Sequence, residues 1–128
     1  MNFKFPADHT FFTSDTHFNH ANIIHFCNRP FKNAEQMNET LIANWNNVIT
    51  PDDTVFLCFE GSYKNIWQLF GHVHSRKNNT GIDAGRLQHL YPTQYDVGVD
   101  NNNFTPVSFN QVKAIINKQV ERSNKQSS

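Results

Sequence analysis

No stretch of the 128 residues approaches the roughly 20 apolar residues of a membrane span, and the opening Met1-Asn2-Phe3-Lys4-Phe5-Pro6-Ala7-Asp8 holds no apolar run of signal-peptide length. A soluble cytoplasmic chain with no membrane partner is the expectation. Cysteine is scarce: Cys27 and Cys58 stand without CxxC spacing, which favours reduced thiols over a disulfide framework. Charge of one sign is lacking too. Eleven Lys plus Arg balance eleven Asp plus Glu, so no global field draws the chain to polyanions, and the net charge does not support nucleic acid as a partner. There is no internal repeat and no long linker, and the length fits one globular domain over 1–122. The tail 123–128 has no apolar residue and reads as disordered. What the chain does have is seven His and twelve Phe, so histidine is where its chemistry is to be sought.

Local patterns divide the chain into strands and helices. Phe11-Phe12-Thr13-Ser14 reads as a buried strand that stops at Asp15, placing Asp15 and His17 at its C-terminal end. Ala21 to Cys27 reads as one or two helical turns, closed before Pro30. Asn33 can cap a helix from Ala34 to about Ile49, with Met37, Leu41, Trp45 and Val48 on one stripe. Thr54 to Phe59 is apolar after its first residue, as in a strand covered on both faces. A short strand from Ile66 to Phe70 runs into Gly71-His72-Val73-His74, and Ser75 to Pro92 is loop and hairpin. Tyr95 to Val99 reads as a strand and Asp100 to Asn103 as a turn. Ser108 and Gln111 form a capping box for a last helix with Val112, Ile115, Ile116 and Val120 on one face.

Two strand ends therefore carry closely spaced metal-ligand types. In extended backbone Asp15 and His17 emerge on the same side and can chelate one cation, and His72 and His74 repeat the geometry. Mixed carboxylate and imidazole donors suit Mn, Fe, Ni or Zn better than Ca or Mg. The plain alternative for these four residues is capping and hydrogen bonding at strand ends. His20 follows the first pair in the same loop and reads either as a solvent-exposed or backbone-paired loop histidine or as a substrate-contacting residue. Arg29 reads equally as a bidentate phosphate clamp or as half of a surface ion pair.

The order strand, Asp15-Thr16-His17, later strand, Gly71-His72-Val73-His74, then Val97-Gly98-Val99-Asp100 resembles the calcineurin-like metallophosphoesterase superfamily. Ser14 to Ile24, Asn28-Arg29-Pro30-Phe31, Asp52-Asp53-Thr54-Val55, Leu69 to Ser75 and Asp96 to Asp100 look especially like its small single-domain bacterial and phage members. The resemblance implies an α/β fold, a β-sandwich flanked by helices and here shortened. It also implies one or two divalent ions and hydrolysis of a phosphoester, small molecule or nucleotide, by a metal-bound hydroxide. Carried over by motif, Asp15, His17 and His74 would bind the first ion and His72 the second.

The middle of the family pattern is missing. There is no Gly-Asp for a bridging carboxylate and no Gly-Asn-His for an Asn ligand and a histidine acid, and Asp15 and His72 are only 57 positions apart. A central segment reads as deleted between the strands beginning at Thr54 and near Ile66. Counted along the family-like Asp-Asp-Thr-Val run, the bridging carboxylate falls at Glu60, which either replaces it or is an accident of the joint. Lost central strands would also expose an edge that invites self-association. A weakened phosphoesterase and a non-catalytic metal-binding or interaction protein of the same descent both follow from this pattern.

Overall fold

The computed structural model describes residues 5–58, 68–71 and 91–127. Within them the protein is a mixed α/β fold, with α1 (Ala21–Phe26), α2 (Ala34–Val48) and α3 (Phe109–Gln126) around short strands β1 (Thr10–Thr13), β2 (Thr54–Leu57), β3 (Gln68–Phe70), β4 (Gln94–Asp96) and β5 (Val107–Ser108). Glu60, His72 and His74 lie outside the described residues, as does most of the expected loop that follows them.

β1 runs parallel to β2, from Thr10 opposite Thr54 to Thr13 opposite Leu57, and antiparallel to β5. Parallel neighbours need a crossover, which α1 and α2 supply. β3 and β4 form a separate parallel pair, with Leu69 opposite Tyr95. The two sheets meet where Ser14 bridges Gly98, and Val99 N–H donates to the Ser14 carbonyl at 3.1 Å. The strand expected over Tyr95 to Val99 is cut short at Asp96 because the Asp96 carboxylate accepts the Gly98 N–H at 2.8 Å, taking that donor from the ladder. A 3-10 turn, Val99–Asn101, follows.

The helices form where the sequence caps them. Asn33 Oδ1 accepts the Gln36 N–H at 2.8 Å to open α2, whose buried residues are Met37 and Leu41. Ser108 and Gln111 close a complete capping box at α3, which buries Val112 and Ile116. α3 continues to Gln126, a turn beyond the expected start of a disordered tail. Once a helix is established each further residue adds a backbone bond without apolar help, and the Ser127 N–H and hydroxyl both return to the Ser123 carbonyl, at 3.2 and 3.1 Å.

Apolar burial falls into two clusters. Ile23, Ile24, Cys27, Met37, Leu41 and Val99 pack together, flanked by Phe31 and Phe104. Val97, Val107, Val112 and Ile116 form the other, between the sheets and α3. Each fully buried aliphatic side chain is worth roughly 1.5–3 kcal/mol, so Met37, Val97, Val112 and Ile116 are major contributors. β2 departs from the expected two-faced burial. It lies at the edge of its sheet among the described residues, its first three residues are half-buried, and Leu57 is 63% exposed. Among the described residues neither cysteine is disulfide-bonded, and no helix is long and apolar enough to cross a membrane.

Candidate metal centre

Beyond Ser14 the chain leaves β1 and turns sharply. Asp15, His17 and Asn19 all have left-handed backbone, with φ of 57°, 54° and 58°. Such a conformation costs an L-residue roughly 1–2 kcal/mol, although Asp, Asn and His tolerate it better than most. The expected arrangement, two side chains on one face of an extended strand, is therefore not the one found. Left-handed residues on either side of Thr16 curl the backbone, and the side chains still converge, with His17 Nε2 3.9 Å from Asp15 Oδ1. Both side chains are largely shielded from solvent.

Three contacts hold this loop in its costly shape. The Ser14 hydroxyl donates to Asp15 Oδ2 at 2.8 Å. The Asn19 N–H donates to Asn38 Oδ1 on α2 at 2.7 Å. Arg29 supplies the third and largest. Its Nη2 donates to the Asp15 carbonyl at 2.7 Å and its Nη1 to the Thr16 carbonyl at 2.8 Å. The same guanidinium grips Asp100 bidentately, Nε to Oδ1 and Nη2 to Oδ2, both at 2.8 Å. Nη1 reaches Met37 Sδ at 3.5 Å, and the Phe104 ring lies 5.7 Å from the guanidinium carbon. Every N–H of the guanidinium fork thus has an acceptor.

Arg29 accordingly corrects both sequence readings. It is 4% exposed, so it is neither a clamp facing substrate nor half of a surface pair. It positions Asp15 by fixing the carbonyls on either side of the left-handed turn, with Asp100 neutralising its charge. Sequence reasoning missed Asp100, which read only as a turn residue. The available signal was that Asn28-Arg29-Pro30-Phe31 and Asp96 to Asp100, both quoted for the family resemblance, carry one cation and two carboxylates to which no role was given. Buried Asp96 was missed as well.

His20 is exposed at the start of α1, and its Nδ1 lies 3.3 Å from His17 Nδ1. Burial pushes the Cys58 thiol up to about 11, which leaves almost no thiolate near neutral pH.

Gly71, the residue before His72, is buried directly against this loop. A Cβ placed there meets the Ser14 side chain head on and Asp15 Oδ2 at 2.5 Å. Gly98 closes the other side, its absent Cβ lying 3.5 Å from the same oxygen. The ends of β1, β3 and β4 therefore come together around the Asp15 carboxylate. Gly71→Ala should lower stability by about 1–3 kcal/mol in urea unfolding, as overpacking does, and weaken metal binding in parallel. Unchanged stability would show that the strand ends are not in contact. Among the described residues no three His, Cys, Asp or Glu side chains come together as a metal-binding group, and Asp15 and His17 are the two candidate donors that do converge.

No family model matches the chain, and no solved structure matches it. Over 43 residues it is 70% identical to a Methanocaldococcus jannaschii protein described as the uncharacterized protein MJ1445. That stretch is 34% of this chain and 24% of the relative, so the chain spans about a quarter of the length of the curated relative it matches. The similarity carries no activity with it.

Proposed function

We propose that the chain is a metal-dependent phosphoesterase of the calcineurin-like type, weakened by loss of the central motifs. The supporting observation is the convergence of Asp15 and His17 at 3.9 Å in the loop beside Gly71, the residue that leads into His72-Val73-His74. Two donors sharing one ion at about 2.0–2.2 Å each stand about 3–3.6 Å apart at octahedral or tetrahedral angles, so closing the 3.9 Å gap by a few tenths of an ångström lets Asp15 and His17 hold one ion. One carboxylate and one imidazole are the mixed donor set that Mn, Fe, Ni or Zn accept. Asp15, His17 and His74 would hold the first ion, with His72 and Glu60 toward a second. A bound ion of this kind lowers the pKa of its water to near 7 and offsets phosphate charge.

The chain's own residues set how well this can work. Asp15 must present its carboxylate to the ion, and the Ser14 hydroxyl and the Arg29 grip on its carbonyl serve that end. A calcineurin-like sandwich, shortened, belongs to the same reading. A second reading, a metal-binding or interaction protein without turnover, is favoured by the absence of Gly-Asp and Gly-Asn-His.

Elemental analysis and metal titration test the centre. About one equivalent of Mn, Fe, Ni or Zn should bind firmly and a second only weakly, since His72 alone remains of the family's usual second shell. A stoichiometry near zero, or a His17→Ala His74→Ala double variant with unchanged metal content, would sink the proposal.

A further inference from the structure

A cavity of about 400 Å3 opens between α3 and the loop that leads from the 3-10 turn into β5. Its size falls within the roughly 300–1,000 Å3 of small-molecule sites. Among the described residues no charged side chain lines it, so nothing there offsets the charge of a phosphate or a carboxylate. The lining divides by chemistry. Val107 and Ile115 are aliphatic, and Asn101, Asn102, Asn103 and Gln111 carry side-chain amides.

The hydrogen bonds of the fold decide which amides remain for a ligand. Asn102 is spent: its Nδ2 donates to the Asp96 and Gly98 carbonyls at 3.0 and 2.8 Å, and its Oδ1 accepts the Tyr95 hydroxyl at 2.6 Å. Gln111 Oε1 accepts the Ser108 N–H at 2.9 Å, which leaves the Nε2 protons to donate. Asn101 donates through Nδ2 to the Asp96 carbonyl at 3.1 Å, which leaves its Oδ1 to accept. The Asn103 amide, on an exposed residue, keeps both capacities. The rim that carries it is set in advance. Asn103 and Phe104 both have left-handed backbone, with φ of 53° and 57°, a rare conformation for a residue as bulky as Phe. Asn44 of α2 holds them there, its Nδ2 donating to their carbonyls at 3.3 and 3.1 Å. Backbone held at such a cost is characteristic of ligand clamps, and a preformed rim spares the ligand the cost of ordering it.

We infer that this cavity binds an uncharged nucleobase, its ring against Val107 and Ile115 and its hydrogen-bonding edge read by Asn101, Asn103 and Gln111. Base edges present donors and acceptors in one plane, as side-chain amides do, and Asn and Gln pair bidentately with adenine. A sugar is the nearest competitor. It binds best on an open aromatic face, and the one aromatic side chain of the lining, Tyr95, is tied to Asn102 and packed against the cluster of Val97 and Val112. The site needs no ion and no residue of the metal centre, so it stands apart from that reading.

Titration of the full chain, stripped of metal by a chelator, with adenosine, guanosine, cytidine and uridine tests this by 15N-resolved NMR. At least one nucleoside should shift the side-chain amide signals of Asn103 and Gln111 saturably, and inorganic phosphate and glucose should leave them in place. Two variants remove the reading groups while sparing the fold. Asn103→Gly deletes the amide and suits left-handed backbone, and Gln111→Glu keeps the capping oxygen but loses the Nε2 donors. Each should weaken binding of that nucleoside about fivefold or more, the lower end of what a lost base-edge pair costs. The inference is overturned if no nucleoside moves these signals, if glucose moves them as far, or if both variants bind as tightly as the wild type. Because the protein is metal-free throughout, each of these results leaves the metal-centre reading where it stood.

Discussion

Arg29→Ala is expected to cost about 3–5 kcal/mol of folding stability, the effect of removing one partner from a buried, hydrogen-bonded ion pair. Domains of this kind are stable by only about 5–15 kcal/mol, so the variant should sit near the edge of folding. The cost has two sources. Asp100 is left as a buried carboxylate without its counter-charge, and the Asp15 and Thr16 carbonyls lose the donors that hold the left-handed turn. Arg29→Lys should recover only part of this, because an ammonium cannot grip Asp100 through two parallel N–H groups while also serving two carbonyls. Urea unfolding of the metal-free protein measures the loss. A change below about 1 kcal/mol, the range of exposed pairs, would mean that Arg29 is not the buried hub described above.

The second large effect is on turnover. Phosphoester hydrolysis needs a leaving group that departs as a stable anion or receives a proton, and no Gly-Asn-His is present to supply a histidine acid. General acid catalysis is typically worth about a hundredfold to ten-thousandfold. Slow, metal-dependent hydrolysis is therefore expected for activated aryl diesters such as bis-p-nitrophenyl phosphate, with little or none for alkyl esters. Glu60→Gln should abolish that residual activity and leave binding of the first ion mostly intact. Brisk turnover of an alkyl ester would show that other residues have taken over the missing role, and unchanged activity in Glu60→Gln would remove Glu60 from the centre. Firm metal binding with no turnover of any aryl ester would favour the non-catalytic reading.

The residues legible in the sequence are those whose structure is decided locally. Asn33 with Gln36, and Ser108 with Gln111, announce helix starts three residues in advance, and the Met37–Leu41 and Val112–Ile116 spacings name the buried faces. The strand ending before Asp15 was equally plain. The shape of the loop after it was not, because left-handed backbone at Asp15, His17 and Asn19 is held by partners far along the chain, Arg29 and Asn38. The Arg29–Asp100 pair joins positions 71 apart and has no periodicity to betray it. At β4 a side chain competing for the Gly98 N–H overrode a β-favouring run.

Val97 and Val99, two residues apart, belong to different clusters of the interior. Clusters divided in this way can open along a short seam with separate free energies, as units of local unfolding do. The unit containing α1 and α2 carries the loop of His17 and His20 with it, because α1 begins where that loop ends and α2 holds Asn19. Opening along that seam would separate His17 from the sheet that carries Gly71 while α3 and its strands stay folded. A bound ion gripping both sides would act as a clasp, raising the free energy of that local opening by as much as it favours the closed form.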